Sequence, residues 1–567
     1  MTLELPAQAD IEQLKKQAKK LLKQYRQNDS DAFSKVKSCH PRPQNFNGLR
    51  DAQLVIARLH GYSDWNQLSI AVEQANDAAK SLTERAELFI RLGCTQYSGN
   101  DRLRNYQRAQ RLLEKFPDIA DFSFYTALVA NNKQAVARNL ELDPQKANST
   151  GGPLDWPTLL YTTYSRVINP QDARNSIDIT KMLLQCGSDP NSHVILQDTY
   201  RFTALTGALG EGEQGVNQPA HPFADEIASI LLSAGANPND AQGLYNTMFT
   251  SSGDKWLALL ISHGLNTEHR LNAGTDAGDP SQTTLDYQLG SAVNGNHQQR
   301  VDMLLNAGAN PNAINIYDGK TVHTNALLKG YTSVADRLLL NGASPESLSV
   351  DDEFRLACSN NKVETIQFLL NEHPNLKENA SLLHHAVSYG NSEIYRRLID
   401  FGFDINGQED NGRTVLHHFS LNNDVNEVKY LLSRGARFDI PDKSHQSTAV
   451  GFAAYGGANE VMHLLLDQSH NFLDVALCAY LKRATTLLDE NPERAFECTS
   501  AGNSALHILG MWLHEEPEYT ACMNFVQLLL SAGLDINVQN HQTQNPVQFH
   551  LANGSDSMAE LLIECGG

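Results

Sequence analysis

The clearest pattern of apolar and polar positions lies between residues 410 and 440. It opens with Asp-Asn-Gly at 410–412, a combination that favours a tight turn. Thr414 follows at the place of a helix N-cap, where its hydroxyl can accept a hydrogen bond from a free backbone N–H. The apolar positions of 425–432 recur at helical spacing, and Gly435 follows where a left-handed residue ends a helix. Neither helix is long enough to be stable alone, so we expect the unit to stack on similar units.

Similar units recur along the chain. Segments of the form Leu-Leu-x-x-Gly and close variants end at Gly187, Gly235, Gly264, Gly308, Gly342, Gly402, Gly435 and Gly533. Several of these glycines are followed by a short segment that ends in asparagine, at 188–191, 236–239, 309–312, 403–406 and 534–537. The step from Gly308 to Gly342 is 34 residues and the step from Gly402 to Gly435 is 33. A period near 33 residues, built from a turn and two helices, indicates a repeat architecture.

The sequence resembles the ankyrin-repeat family. The family's Thr-Pro-Leu-His box has counterparts at 203–206, 381–384, 414–417 and 504–507, although proline is kept only at Pro546. The resemblance implies an all-α fold in which about thirteen helix–turn–helix repeats with β-turn tips form a solenoid over residues 122–567. We expect any break in the stack near 472–490, or after Leu370 and Leu466, where the glycine stop is missing.

Residues 1–80 differ from the repeats. They carry 12 Lys+Arg and 9 Asp+Glu, although the whole chain has a net charge of −20. Four helices are predicted here, and the first has a face of lysines. The segments 14–22, 51–58 and 61–65 resemble a helical amino-terminal module common in bacterial ankyrin-repeat proteins, which implies a bacterial source. Residues 81–121 are predicted to form a helical junction or cap.

The composition limits the possible partners. The acidic balance argues against nucleic acid and against an anionic membrane surface, because both need Lys and Arg contacts. It suggests instead a protein partner that is basic. The sequence has no Cys-x-x-Cys pair, and the eight cysteines are interpreted as small buried residues. It also has no apolar run long enough to cross a bilayer, and the chain is interpreted as a cytoplasmic monomer.

Candidate catalytic and metal-binding motifs are weak. Residues 210–215 match Gly-x-Gly-x-x-Gly, but no strand precedes them and their two glutamates would repel a pyrophosphate. The pairs His384-His385 and His417-His418 point in different directions on a helix, and a zinc site needs three or four converging ligands. We therefore predict no catalysis, no cofactor and no metal.

Two other functions stay open. The lysine-rich helices of residues 1–80, with a Gly-containing turn between two of them, allow a nucleic-acid-binding regulator. Four insertions, at about 166–176, 211–223, 268–282 and 512–520, could instead form a ligand or enzyme site, because insertions in repeat proteins gather on one face.

The predicted function is a protein-interaction scaffold or adaptor. In ankyrin stacks a concave face and the turn tips bind proteins, and aromatic residues and arginine are the usual anchors of interfaces. The candidate residues are Tyr317, Asp318, Lys320, Asn411, Arg413, His445, Gln446, Trp156, Tyr161 and Tyr164. Packing in the core is the competing interpretation for Trp156 and Tyr161.

Overall fold

The structure is a computed structural model of the chain. It describes residues 3, 5, 9–167, 174–196, 200–249, 253–266, 283–315, 318–511 and 519–566. The protein is mostly helical, with 61% helix and 4% strand, as the repeat pattern predicts.

The first four helices enclose a small core of their own. Its members include Leu14, Leu21, Val55 and Leu68, all buried. An aspartate caps three of these helices by accepting a hydrogen bond from the backbone of the first turn, which fixes where each begins. The helices are α1 (Ile11–Arg26), α2 (Ser30–Cys39), α3 (Leu49–Leu59) and α4 (Trp65–Ala78).

A second apolar cluster extends from Phe89 to Ala343. The two clusters belong to one compact unit of the chain, which ends at Glu346 and leaves out Leu328–Gly330. Helices pair in sequence along the second cluster, a short helix being followed by a longer one in most pairs. They are α5 (Leu82–Gly93), α6 (Leu103–Lys115), α7 (Phe124–Val129), α8 (Lys133–Leu142), α9 (Thr158–Thr163), α10 (Asn175–Gln185), α11 (Ala204–Leu209), α12 (Ala224–Ser233), α13 (Ala241–Asn246), α14 (Gly253–Ser262), α15 (Thr284–Asn294), α16 (Gln298–Asn306), α17 (Val322–Leu328) and α18 (Thr332–Leu340).

The other compact unit comprises Leu328–Gly330 and Ser347–Gly567. One apolar cluster runs through it from Phe354 to Leu562. Its helices are α19 (Val350–Ser359), α20 (Val363–Glu372), α21 (Ala380–Tyr389), α22 (Ser392–Asp400), α23 (Val415–Leu421), α24 (Val425–Ser433), α25 (Ala449–Tyr455), α26 (Asn459–Leu466), α27 (Phe472–Leu477), α28 (Leu481–Glu490), α29 (Ala505–Ile508), α30 (Tyr519–Ser531), α31 (Pro546–Ala552) and α32 (Asp556–Glu564).

Strands are confined to two short antiparallel hairpins in the described residues. In the first, β1 (Thr150–Gly151) pairs with β2 (Trp156–Pro157). In the second, β3 (His193–Leu196) pairs with β4 (Tyr200–Thr203). Each hairpin leads into a short helix, so the hairpins occupy the turn positions of the repeat pattern.

The glycines chosen from the sequence as helix stops do end helices. All eight have φ between +92° and +99°, a region that an L side chain adopts only with strain. At Gly435, for example, the N–H of the next residue, Ala436, donates to the carbonyl of Leu431 at 3.0 Å and closes the last turn of α24.

The prediction of a break near 472–490, or after Leu370 and Leu466, is wrong. All these positions lie inside the single apolar cluster of the second unit. After α20 the missing glycine is replaced by a turn of 3-10 helix, Pro374–Glu378, in which proline sets the first φ angle and Leu376 is buried. The division between the two units falls instead between Glu346 and Ser347.

Candidate functional site

The tip at residues 409–413 is a hydrogen-bonded turn. The backbone N–H of Glu409 donates to the carbonyl of Arg413 at 2.9 Å, and the N–H of Gly412 donates to that of Glu409 at 2.8 Å. Gly412 has φ of +83°, and the Asn411 side-chain oxygen accepts from the N–H of Arg413 at 2.8 Å. The residue types noted in the sequence therefore fix the shape of this tip.

This tip is bound to the next one through the backbone. The N–H of Lys443 donates to the carbonyl of Asn411 at 2.8 Å. A Cβ atom added at Gly412 would lie 2.6 Å from the Lys443 nitrogen, so only glycine permits this approach. Neighbouring tips are thus held in register by contacts that do not use their exposed side chains.

The second tip, residues 442–447, is organised around the buried carboxylate of Asp442. It accepts from the N–H of Ser447 at 2.9 Å and from both the backbone and the ring of His445, at 3.2 and 3.1 Å. Burial acts to raise the pKa of Asp442, but these hydrogen bonds outweigh burial and lower the pKa. His445 and Gln446 are exposed, and Gln446 has φ of +53°. The turn therefore presents both side chains to solvent.

Arg413 is half-buried. Its guanidinium lies over the ring of Phe452 at 4.8 Å, and its Nε has no hydrogen-bond partner among the residues that the structure describes. Part of the energetic role of Arg413 is therefore a cation–π contact between neighbouring repeats. This makes Arg413 a poor choice for a variant that should alter only a binding surface.

The predicted tip in the first unit is only partly described. Tyr317 lies outside the described residues. Asp318 accepts from the N–H of Lys320 at 3.0 Å and from the Asn325 amide at 3.2 Å. Asp318 is exposed and Lys320 is half-buried in a turn that passes through Gly319 at φ +68°.

The aromatic group does not form a surface. Trp156, Tyr161 and Tyr164 are all buried, with at most 5% of any of them exposed. The Tyr161 hydroxyl donates to the carbonyl of Gly151 at 2.7 Å and the Tyr164 hydroxyl to that of Thr203 at 2.8 Å. Their assignment to a binding surface is therefore wrong, because they anchor the turns from inside, as the core interpretation holds.

The box histidines hold turns together. The Nδ1 of His417 accepts from the N–H of Thr414 at 3.0 Å, so its Nε2 carries the proton and donates to the carbonyl of Ser447 at 3.2 Å. His507 makes the same pair of contacts with Ser504 and Gln544. Burial lowers the pKa of both rings. Among the described residues there is no group of three His, Cys, Asp or Glu side chains arranged to hold a metal ion.

Sequence reasoning missed the asparagine bridges. The amide of Asn406 donates to the carbonyl of Gly435 at 3.3 Å, and its oxygen accepts from the N–H of Arg437 at 2.7 Å. Asn191 binds Gly235 and Asn237 in the same way, and Asn312 binds Gly342 and Ser344. The signal in the sequence was the asparagine that recurs at the end of the short segments after the helix-ending glycines.

The described insertion, 211–223, packs against the protein itself. Gln218 donates to the buried carboxylate of Asp101 at 2.9 Å, and the carbonyl of Pro219 accepts from Arg166 at 2.6 Å. Arg166 is 5% exposed and also donates to the carbonyls of Thr163, Ser165 and Gly207. Residues 268–282 lie outside the described residues, as do most of 166–176 and 512–520.

The cysteines are only partly buried. All eight are free, but Cys186 and Cys498 are exposed and Cys39 and Cys565 are intermediate. Interpreting all of them as small buried residues therefore fails for these four.

Among the helices that the structure describes, none combines the length and the apolar character needed to cross a bilayer.

Comparison with known proteins identifies the repeats. Residues 354–409 and 383–477 match the family model of ankyrin repeats in three copies. A putative ankyrin repeat protein of fowlpox virus is 33% identical over 89 residues, 16% of this chain and 20% of that protein. A second fowlpox virus protein of the same description is 24% identical over 253 residues, 42% of this chain and 43% of that protein.

A plant protein shares a shorter segment. An ADP-ribosylation factor GTPase-activating protein of Arabidopsis thaliana is 42% identical over 72 residues, 13% of this chain and 9% of that protein. The chain thus spans less than half the length of each of these three relatives. The match to the model of ankyrin repeats lies within residues 354–477, and the two viral proteins to which the chain is similar carry the same description.

Proposed function

We propose that the chain is a non-catalytic scaffold or adaptor that binds a protein partner through its repeat tips and inner helices. Ankyrin repeats generally mediate protein–protein interaction. The observation that carries the proposal is the backbone bond between Lys443 and Asn411, which aligns two tips while His445 and Gln446 stay exposed. A surface already ordered in the free protein loses little conformational entropy when it binds.

The proposed architecture is a solenoid of about thirteen repeats over residues 122–567 with a concave binding face. Residues 1–80 would be a separate helical module and 81–121 a cap. The resemblance of residues 1–80 to a bacterial module supports a bacterial source, and we propose a cytoplasmic location. The net charge of −20 supports a basic partner, bound by a monomer, with an association rate that falls as salt is added.

The test compares two charge reversals in the second unit. Lys443 is exposed at a tip and Lys429 is exposed on α24, so Lys443→Glu and Lys429→Glu change the net charge equally. The intact protein is used to capture partners from the native cytosol, and the captured partner is then purified and titrated calorimetrically. Because the proposed partner is basic, we expect Lys443→Glu to strengthen binding about tenfold by replacing a like charge at the tip with an opposite one, and Lys429→Glu to leave binding within about twofold. Equal effects of both variants would refute tip binding.

Nucleic-acid binding by residues 1–80 is the second candidate. The observation in its favour is that Lys16, Lys20 and Lys23 are exposed along one helix, α1. Against it, Arg58 is engaged within the module, donating to the carbonyls of Cys39 at 2.9 Å and Ser63 at 3.3 Å. Recovery of nucleic acid that is lost when residues 1–80 are deleted would favour this function over the scaffold.

A further inference from the structure

The junction between the amino-terminal helices and α6 is formed mainly by charged side chains. The apolar cluster of α1–α4 and the one that begins at Phe89 are separate. Where α4 meets α6, most of the described polar contacts are ion pairs, and in one further contact Lys115 donates to the backbone carbonyl of Gln74 at 3.4 Å. An interface of this kind is weakened by salt and by competing charges, unlike an apolar one.

Two carboxylates on α4 face this junction. Asp77, 3% exposed, accepts from Arg108 at 2.7 and 3.0 Å and from Lys80 at 3.0 Å. Glu73 pairs more loosely, with Arg111 at 3.5 Å and Arg104 at 3.7 Å. The two carboxylates are four residues apart, so they project from the same face of α4 one turn apart.

The opposing face of α6 carries more positive charge than α4 neutralises. Arg104, Arg108, Arg111 and Lys115 recur at helical spacing and form what we call the α6 stripe. The three arginines pair with the two carboxylates of α4, and Lys115 donates to the backbone carbonyl of Gln74 at 3.4 Å. Arg104 is 77% exposed, and the guanidinium of Arg85 lies 4.0 Å from the centre of the Phe116 ring at the end of the stripe.

The stripe also borders an open cleft. The cleft is lined by Glu73, Gln74, Asp77, Arg108, Arg111, Leu112, Lys115 and Phe116. Carboxylates, guanidinium groups and an aromatic ring thus meet at one accessible position, where a second acidic chain could exchange with α4.

We propose that the α6 stripe is a docking site for an acidic helical segment of a partner protein, and that α4 occupies it in the free chain. Glu73 and Asp77 are the built-in competitors. The occupant is a protein segment because the groups now in place are carboxylates one helical turn apart, a spacing that an acidic helix reproduces. This surface goes beyond the proposed function, since its residues are not those of the tips and its partner has the opposite charge.

The test uses the full-length protein and a fluorescent peptide of glutamate and alanine, with glutamates spaced four residues apart, as the probe. In the double variant Glu73→Gln with Asp77→Asn the competitors lose their charge, and we expect the peptide to bind about tenfold more tightly than to the wild type at low salt. The matched control is Glu12→Gln with Asp31→Asn, which removes two exposed carboxylates from α1 and α2. We expect the control to bind like the wild type.

Further substitutions in the α6 stripe test whether the gain in peptide affinity arises there. Adding Arg108→Gln and Arg111→Gln to the double variant should return binding to the wild-type level or below. Equal peptide affinity in the wild type and the double variant would overturn the proposal, and so would a gain of the same size in the control. Tighter binding of a thymidine oligonucleotide than of the peptide would overturn it as well, by assigning the stripe to phosphate.

A second measurement does not depend on the probe. In the full-length double variant Glu73→Gln with Asp77→Asn, amide hydrogen exchange should be faster in α4 and α6, while the repeats of the second unit stay protected. Unchanged exchange in α4 would show that the ion pairs of Glu73 and Asp77 do not stabilise the packing of α4 against α6, which would also overturn the proposal. The tip variant Lys443→Glu should leave peptide binding unaltered, so failure of the scaffold function and failure of this site are distinguishable.

Discussion

At the scale of single residues, the structure separates side chains that shape the turns from those that face solvent. Asn411 and Asp442 bind backbone N–H groups within their own tips, whereas His445 and Gln446 stay exposed although each also makes a hydrogen bond within the tip. Trp156 and its tyrosine neighbours are buried. Residue type alone does not distinguish these roles, because tryptophan and tyrosine serve equally well in a core and in an interface.

The asparagine bridge gives a residue-scale prediction. Asn406→Asp keeps an oxygen for the N–H of Arg437 but loses the donor to the carbonyl of Gly435 and places a negative charge beside it. We expect the free energy of unfolding to fall by about 1–2 kcal/mol, measured by urea denaturation. Asn537→Asp is the control, because among the described residues the Asn537 side chain accepts only a long 3.4 Å contact from Asn545. An equal loss in both variants would contradict the bridge.

At the scale of the helices, the sequence predicted much of the fold. Residues 1–80 contain the four helices that the sequence predicts, since strong periodicity and aspartate caps mark them. The stop after α20 escaped prediction because a proline turn replaces the glycine. The asparagine bridges escaped it too, since their partners are backbone groups of the next repeat, 29 to 46 residues away in the sequence.

A pair of glycines tests the role of the helix stops. Gly435 has φ of +92° and Gly290 lies within α15, and a Cβ atom would meet nothing within 4 Å at either position. Gly435→Ala should therefore lower stability by about 1 kcal/mol through backbone strain alone. Gly290→Ala should raise stability by about 0.5–1 kcal/mol, because alanine is the better helix former. Thermal unfolding of both variants checks the signs, and a stabilised Gly435→Ala would show that the strain is absent.

At the scale of the whole molecule, buried histidines make stability depend on pH. Burial lowers the pKa of His385 and His550 to about 4, and it also lowers that of His507. In the unfolded chain a histidine titrates near 6.5, so between about 6.5 and 4 the unfolded state binds more protons than the folded one. The stabilisation that these neutral histidines allow should therefore be fully present above about pH 7, and the free energy of unfolding should fall as the pH drops toward 4.

Buried carboxylates oppose this trend. Burial raises the pKa of Asp474 to about 7 and also raises the pKa values of Asp101, Glu427 and Glu497, so these groups favour the folded state at lower pH. We expect the more numerous buried histidines to outweigh them, because each fully buried histidine contributes up to about 1.4 kcal/mol per pH unit. The measurement is the urea midpoint at pH 7.5 and pH 5, which we expect to be clearly lower at pH 5.

The chain itself supplies the control for this experiment. At the box position of α31 stands Gln548, whose side-chain oxygen accepts from the N–H of Asn545 at 3.1 Å, as the ring of His507 does for Ser504. His507→Gln should therefore fold at pH 7.5 and lose less stability at pH 5 than the wild type. An unchanged or steeper loss would mean that His507 does not contribute to the acid sensitivity.

The asparagine bridge has a consequence for how such a chain can grow. The bridge joins a side chain of one repeat to the backbone of the next, at a glycine carbonyl and at the N–H two residues later, where Asn237, Ser344 and Arg437 serve equally. A repeat that brings its own asparagine and its own glycine satisfies both neighbours wherever it is inserted. Gene duplication can therefore lengthen the series one unit at a time, and the exposed tips can diverge without disturbing the joints.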